Sequence, residues 1–439
     1  MTTIDLLSDS EIVPRAASPT RPLRILMPSY RSHPHTGGQG VYLRHISKAL
    51  VDLGHSVDVI SGPPYPDLDP RVTLIRLPSL DLYARPKAFL GLPAMPASCL
   101  TDRIDRHEYF AHISGAFAEP NTFGMRMVRH FQDRPLDYDV VHDNQTLCWG
   151  LLALRRKGVP VVGTIHHPIT MDRRISVAAA DTFGLRLLVR RWYSFLGMQI
   201  KVARALDPVI AVSRSTLRDV VQDFRLDARR LRLVYHGIDA EIFRPLPDVR
   251  RRPNRLVATA SADVPLKGLV YLIEAYASLL SRYPDLELHV VGTLRDGPTA
   301  KLLAKLGLKE RVQFRSGLTD EEIVRLYAEA TIAVAPSVYE GFGFPAGEAM
   351  AAGLPVVATD GGSLPEVVGE AGIVVPAKSP PALTEAIASL LDDPARRATL
   401  GAQARLRMLE LFRWRATAEA VVRVYLEAMA HADGRPRGA

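Results

Sequence analysis

Two glutamates eight positions apart, Glu340 and Glu348, bracket the run EGFGFPAGE. Before it, TIAVAP (331–336) is a short apolar stretch closed by proline, which predicts a buried strand. Gly341 and Gly343 form a loop, with Phe342 and Phe344 between and after them. Pro345 then opens an alanine-rich segment that suits a helix, with proline in its first turn and glycine past its end. LPVVAT predicts a second buried strand. The unit is strand, glycine loop, helix, strand, and in an open parallel sheet such loops lie at the carboxyl ends of strands, where ligands bind. The glycines let backbone N–H groups approach a ligand, and the helix start adds partial positive charge. Carboxylates accept pairs of hydroxyl hydrogen bonds, so two of them here suit a sugar or ribose better than a bare anion. The competing reading is a pair of solvated glutamates. Tyr339, Phe342 and Phe344 make this a costly place for idle charge.

A second glycine loop lies near the amino terminus. LRILMPSY (23–30) predicts a strand, VYLRHISKALVDLG an amphipathic helix and SVDVIS (56–61) another strand, which together make a βαβ unit. Gly37, Gly38 and Gly40 precede the helix, either as a phosphate cradle or as a plain turn; the spacing is not that of a dinucleotide site. YDVVHDNQ (138–145) runs into His142, Asp143 and Asn144, and PVVGTIHHP (160–168) ends in His166 and His167. Two strands ending in polar residues at one edge predict a site wall, against the plainer reading of structural histidines. DLD at 67–69 lies among prolines and reads as a solvated turn. Cys99 and Cys148 have no metal-type spacing and read as reduced structural thiols.

The elements that must position these residues fall into two halves. A chain of 439 residues, 47% hydrophobic and 23% charged, can bury two sizeable cores. Residues 1–20 read as a disordered tail with no signal-peptide pattern, so a cytoplasmic protein is expected. Residues 21–240 form the first domain, 241–254 a proline- and arginine-rich linker, and 255–410 a second doubly wound domain. Residues 411–430 read as a helix packing back on the first domain, and 431–439 as a tail. Residues 79–135 resist ordering, although FGMRMVRHFQ has helical spacing. Residues 183–206 read as one long helix, partly buried, whose arginines among bulky apolar residues also suit an anionic membrane. The net charge of +8 favours anionic ligands or surfaces, and no nucleic-acid motif accompanies it.

These marks together resemble the GT-B retaining glycosyltransferases of family 4 type, which include glycogen-synthase-like, sucrose-synthase-like and phosphatidylinositol-mannosyltransferase-like enzymes. The resemblance covers nearly all of 23–430. It rests first on the Glu-x7-Glu spacing of Glu340 and Glu348. GGQGVYLRHISKAL, VIAVSRST (209–216), VYHGIDAEIFRP, LKGLVYLIEAY (266–276) and GGSLPEVVGEAGIVVP (361–376) support it. The resemblance implies an α/β fold of two Rossmann-like doubly wound domains facing a central cleft, and transfer of a hexosyl unit from a nucleotide-diphosphate sugar with retention and without metal or other cofactor. Glu348 would then bind the donor ribose, while Glu340 with the backbone of Gly341, Phe342, Gly343 and Phe344 would hold the sugar hydroxyls. Lys267 would neutralise the diphosphate, and Gly37 and Gly38 would approach it from the first domain. The resemblance further implies front-face attack, in which the leaving phosphate would accept the acceptor's proton and charge stabilisation would carry much of the catalysis.

Three positions depart from the pattern. Ala262 stands where the family commonly has arginine, and Asn144 where a histidine often meets the sugar. Asn144 can donate a hydrogen bond but cannot titrate near neutral pH; it and His166, at the neighbouring strand end, are the first domain's candidate catalytic residues. His236–Gly237 replaces the usual Asn-Gly. The alternatives are a sugar-nucleotide-binding scaffold without turnover and a GT-B nucleotide-sugar epimerase; a phosphorylase lacks a recognisable lysine for pyridoxal. The acceptor is expected to be hydrophobic or lipid-linked, because 79–135 and 183–206 join apolar bulk to arginine.

Overall fold

Runs of branched apolar residues and amphipathic runs alternate along the chain. In a computed structural model they fold accordingly, with residues 19–33, 38–86, 93–260 and 263–433 described. The amino-terminal part gives β1 (Arg24–Ser29), α1 (Gly38–Asp52), β2 (Ser56–Ser61), β3 (Thr73–Arg76), α2 (Ser98–Thr101), α3 (Arg103–Ile113), α4 (Glu119–His130) and β4 (Val140–Asn144). It continues with α5 (Trp149–Arg156), β5 (Val161–Ile165), α6 (Thr170–Ala178), α7 (Phe183–Trp192), α8 (Leu196–Ala205), β6 (Val209–Ala211), α9 (Arg214–Phe224) and β7 (Leu231–Leu233). Next come β8 (Arg255–Thr259), α10 (Leu269–Leu279), β9 (Glu287–Val291), α11 (Pro298–Lys305), β10 (Val312–Arg315), α12 (Asp320–Glu329) and β11 (Ile332–Ala335). The chain closes with α13 (Phe344–Ala351), β12 (Val356–Thr359), α14 (Leu364–Val368), β13 (Ile373–Val375), α15 (Pro380–Leu391), α16 (Pro394–Leu411) and α17 (Trp414–Asp433).

Two compact units result. Of the described residues, one unit comprises those up to 212, 216–234 and those from 415 onward; the other comprises 213–215 and those of 235–414. Among the described residues, the first unit carries a parallel sheet in the order β3-β2-β1-β4-β5-β6-β7 and the second one in the order β10-β9-β8-β11-β12-β13. Such strands are covered on both faces and so read as continuous apolar runs. Ile25, Leu26, Val140 and Val141 at the centre of the first sheet, and Leu256, Val257 and Ile332 at the centre of the second, have no exposed surface. In each sheet the strand order reverses between two central neighbours, β1 and β4 in one, β8 and β11 in the other. A crevice at the carboxyl ends of the strands opens at such a reversal.

The helix expected over 183–206 is two helices. Thr182 caps α7 by accepting from Leu185 N–H, none of the ten residues of α7 is buried, and a single tight turn at Tyr193–Phe195 follows. There Phe195 and Leu196 turn inward onto Phe117, and α8 buries Met198, Val202 and Ala203. Among the described residues of 79–135, where the sequence gives no clear element order, there are three helices, and α3 begins where the Asp102 side chain accepts from Ile104 and Asp105 N–H. Helix α17 lies on the first unit: Tyr425 is fully buried, and Glu427 pairs with Arg232. Both cysteines are free and buried. Among the described residues no helix is long and apolar enough to cross a membrane.

Candidate functional site

At the reversal point of the second unit, two loops meet. After β8, a tight turn at Pro265–Lys267 ends in Gly268 at φ 61°, and a Cβ there would stand 2.0 Å from the carbonyl oxygen of Pro336. Only glycine gives both the left-handed backbone and that approach. The contact matters because Val338 N–H donates to Leu266 C=O at 2.8 Å, fastening the turn to the loop that follows β11. Lys267 is thereby aimed at Glu340. Its Nζ donates to Glu340 Oε1 at 2.7 Å, and the Ser337 hydroxyl donates to the same oxygen at 2.7 Å. From the far side, Ser363 N–H donates to the Glu340 carbonyl at 3.0 Å, across Gly362 at φ 65°. A cavity lined by Thr259, Tyr327, Ser337, Glu340, Gly343 and Pro345 lies under this loop.

Gly343, at φ 95°, starts α13, with Pro345 in its first turn, so the helix start faces the same loop. Glu348 follows within that helix, and burial together with the nearby Asp320 carboxylate pushes its carboxyl up to about 8. Phe342 and Phe344 turn their rings away into an aromatic cluster. His236 stacks on Phe344 at 5.3 Å with 5° between planes and meets Phe342 edge-on at 5.0 Å; Phe412 and Trp414 complete the group. Burial holds the His236 imidazole down at about 3, so it is a neutral packing ring. Gly237 is required because a Cβ would stand 2.4 Å from Trp414 N. The His-Gly departure from the family pattern is thus a packing solution.

In the first unit, Asn144 ends β4 beside Ser29, the last residue of β1. Its amide nitrogen donates to Ser29 Oγ and to Gln39 C=O, both at 3.1 Å, and its oxygen accepts from His166 Nε2 at 2.6 Å. Fully buried and with both N–H groups committed, Asn144 fixes the start of α1 and the ring of His166. Tyr42 meets His166 edge-on at 4.8 Å. His142 bonds Tyr425 and Thr164 at 2.5 and 2.7 Å, and burial lowers it to about 3. His167 bonds Asp172 at 2.9 Å. Gly38 opens α1, while Gly37 and Ala262 lie outside the described residues. The DLD triplet stays a surface turn, with Asp69 held by Arg71.

The structure thus joins Lys267 with Glu340 in one unit and Asn144 with His166 in the other. Sequence reading missed Ser337, although its place three residues before Glu340 in PSVYE was a signal. It also missed Tyr42, whose position inside an amphipathic helix gave none. Among the described residues, no three His, Cys, Asp or Glu side chains are grouped to hold a metal ion.

Comparison with known proteins bears on the family and the fold. A family model described as glycosyl transferases group 1 matches residues 249–407, and one described as glycosyltransferase family 4 matches 36–242. An MMP α-(1→4)-mannosyltransferase of Mycolicibacterium hassiacum is 46% identical over 414 residues, spanning 93% of this chain and 99% of that protein. A D-inositol 3-phosphate glycosyltransferase of Thermobispora bispora is 29% identical, over 90% of each. Among solved structures, sucrose-phosphate synthase of Thermosynechococcus elongatus superposes with a TM-score of 0.70 at 24% identity, covering 93% of this chain and all of that one. Anabaena HepE with UDP-glucose gives 0.64 at 20% identity, covering 94% and 100%. These last two likenesses establish the GT-B fold.

Proposed function

The chain belongs to the group 1 glycosyltransferases with a family 4 amino-terminal region, and from that premise we propose that it moves a mannosyl or other hexosyl unit from a nucleotide-diphosphate sugar to an acceptor hydroxyl, with retention and without metal. The observation that carries this reading is the Lys267–Glu340 pair at the strand reversal. A charged lysine and a carboxylate sharing a hydrogen bond match a donor's diphosphate and sugar hydroxyls, and each changes partner as the donor arrives. Lys267 then stabilises the leaving diphosphate, whose charge grows in the transition state. Glu340 and the backbone of 341–344 orient the sugar, and Glu348 takes the ribose hydroxyls. In the first unit, His166, its ring held by Asn144, is the candidate catalytic residue.

On the acceptor side, the mannosyltransferase relative, by its name, supports formation of an α-(1→4) linkage to a saccharide hydroxyl. A second reading, an acceptor presented at an anionic membrane, is favoured by one observation: α7 leaves Phe183, Leu185, Leu187 and Leu188 exposed beside Arg186, Arg190 and Arg191.

The test is transfer from UDP- and GDP-linked glucose and mannose to a methyl α-(1→4)-mannooligoside in excess EDTA, read by mass spectrometry and by anomeric proton NMR. One hexose donor is expected to give an α-product in EDTA. An inverted anomer, or activity lost in EDTA and restored by magnesium or manganese, contradicts the mechanism. Binding without turnover indicates the scaffold, and an epimerised donor the epimerase.

A further inference from the structure

At the carboxyl edge of the first unit's sheet, apart from Asn144 and His166, aromatic rings gather around one carboxylate. Tyr30 and Arg31 follow β1, Tyr83 lies beyond β3, Phe117 precedes α4, and Trp192 ends α7. Phe117 and Trp192 stack at 5.2 Å with 23° between planes; Tyr83 stands edge-on to Trp192 at 5.6 Å, and Tyr30 edge-on to Phe117 at 6.0 Å. Phe117 is buried, but Tyr83 and Trp192 keep 39% and 38% of their surface exposed, so part of each ring is open to a ligand.

Glu119, the first residue of α4, shares this corner. Its Oε2 is buried and makes no hydrogen bond among the described residues, and Arg31 Nη1 stands 3.4 Å away. Burial pushes its carboxyl up to about 7, against the lowering influence of Arg31. Its neighbour Glu108 makes the contrast. Glu108 accepts from Leu80 N–H at 3.1 Å, from Thr122 Oγ1 at 3.0 Å and from Arg126, which closes it into the frame. A carboxylate this buried, whose ion-pair partner stands 3.4 Å away, is poorly satisfied, and a ligand hydroxyl would add a donor.

We propose that Tyr83, Trp192, Glu119 and Arg31 form a saccharide subsite that holds a neutral pyranoside of the acceptor. The apolar C–H face of a pyranose packs on aromatic rings, and a few converging polar groups fix its orientation. A sugar hydroxyl donates to the Glu119 carboxylate, whose side chain keeps 11% of its surface exposed, and the more exposed Arg31 donates to a second sugar oxygen. The carboxyl groups of Glu108 and Asp81 also face Glu119, which disfavours phosphorylated or acidic sugars. Calling the saccharide an acceptor rests on the transferase reading above; the subsite itself does not.

The full chain is titrated by calorimetry with methyl α-(1→4)-mannotetraoside, and thermal unfolding checks that each variant is folded. Tyr83→Ala and Trp192→Ala are expected to weaken binding by about tenfold or more, while Tyr83→Phe and Trp192→Phe restore it to within about threefold. Glu119→Gln, which leaves the rings in place, is expected to weaken it as well and decides the matter if an alanine variant fails to fold. Absence of tetraoside binding by the wild type, or equal binding by wild type and every folded variant, overturns the subsite. Binding that follows the predicted order in a protein that transfers no hexosyl group from any donor upholds the subsite and contradicts the transferase reading.

Discussion

Burial on α13 raises the Glu348 carboxyl from an ordinary value of 4.5 to about 8, so the folded chain binds this proton more tightly than the unfolded chain does. A raised carboxyl pKa means that the native state holds the extra proton between those two values. Stability therefore falls as pH rises through that window, the opposite of an ion-paired carboxylate. Asp143 and Glu119, each raised to about 7 by burial, act in the same direction. Comparison with Glu348→Gln isolates the Glu348 share, since the amide cannot ionise. Denaturant unfolding of the ligand-free protein at steps between about pH 5 and 8 should show the variant gaining on the wild type as pH rises. Parallel curves would mean that Glu348 is solvated and not raised. Its spacing from Glu340 was legible in the sequence. Its proton was not, because desolvation depends on what the sheet and α12 place around it.

Among the elements, those with strong local signals were legible. TIAVAP gave β11, the proline and glycine around GEAMAAG gave α13, and both reverse-point strands read as apolar runs. What failed was continuity. Residues 183–206 have helical character throughout, yet tertiary contacts of Phe195 and Leu196 break the run and leave α7 on the surface. Its apolar residues are exposed beside arginines, the composition of a helix that lies on an anionic interface. Vesicles containing anionic lipid should bind the protein at low salt and release it at physiological salt, where charges are screened within about 8 Å. Charge reversal at Arg186, Arg190 and Arg191 should weaken sedimentation with vesicles while leaving the melting temperature nearly unchanged. No sedimentation at low salt would leave α7 without a membrane role.

At the scale of the whole molecule, each unit places its candidate residues at the point where its own strand order reverses. Lys267 follows β8 and Glu340 follows β11; Ser29 ends β1 and Asn144 ends β4. The two doubly wound halves were legible from alternating strands and helices. The commitment of Asn144 to Gln39 and His166 was not, because it depends on residues far apart in the chain. The most direct measurement is made on Glu340→Gln, comparing hexosyl transfer with calorimetric binding of the matching nucleoside diphosphate. Losing a charged hydrogen bond to the sugar should cost roughly 1.5–3 kcal/mol, or about ten- to 150-fold in turnover. The nucleoside diphosphate should bind as well or better, since Lys267 no longer shares its charge with a carboxylate. Wild-type turnover, or a loss of diphosphate affinity as large as the loss of turnover, would contradict the assignment of Glu340 to the sugar.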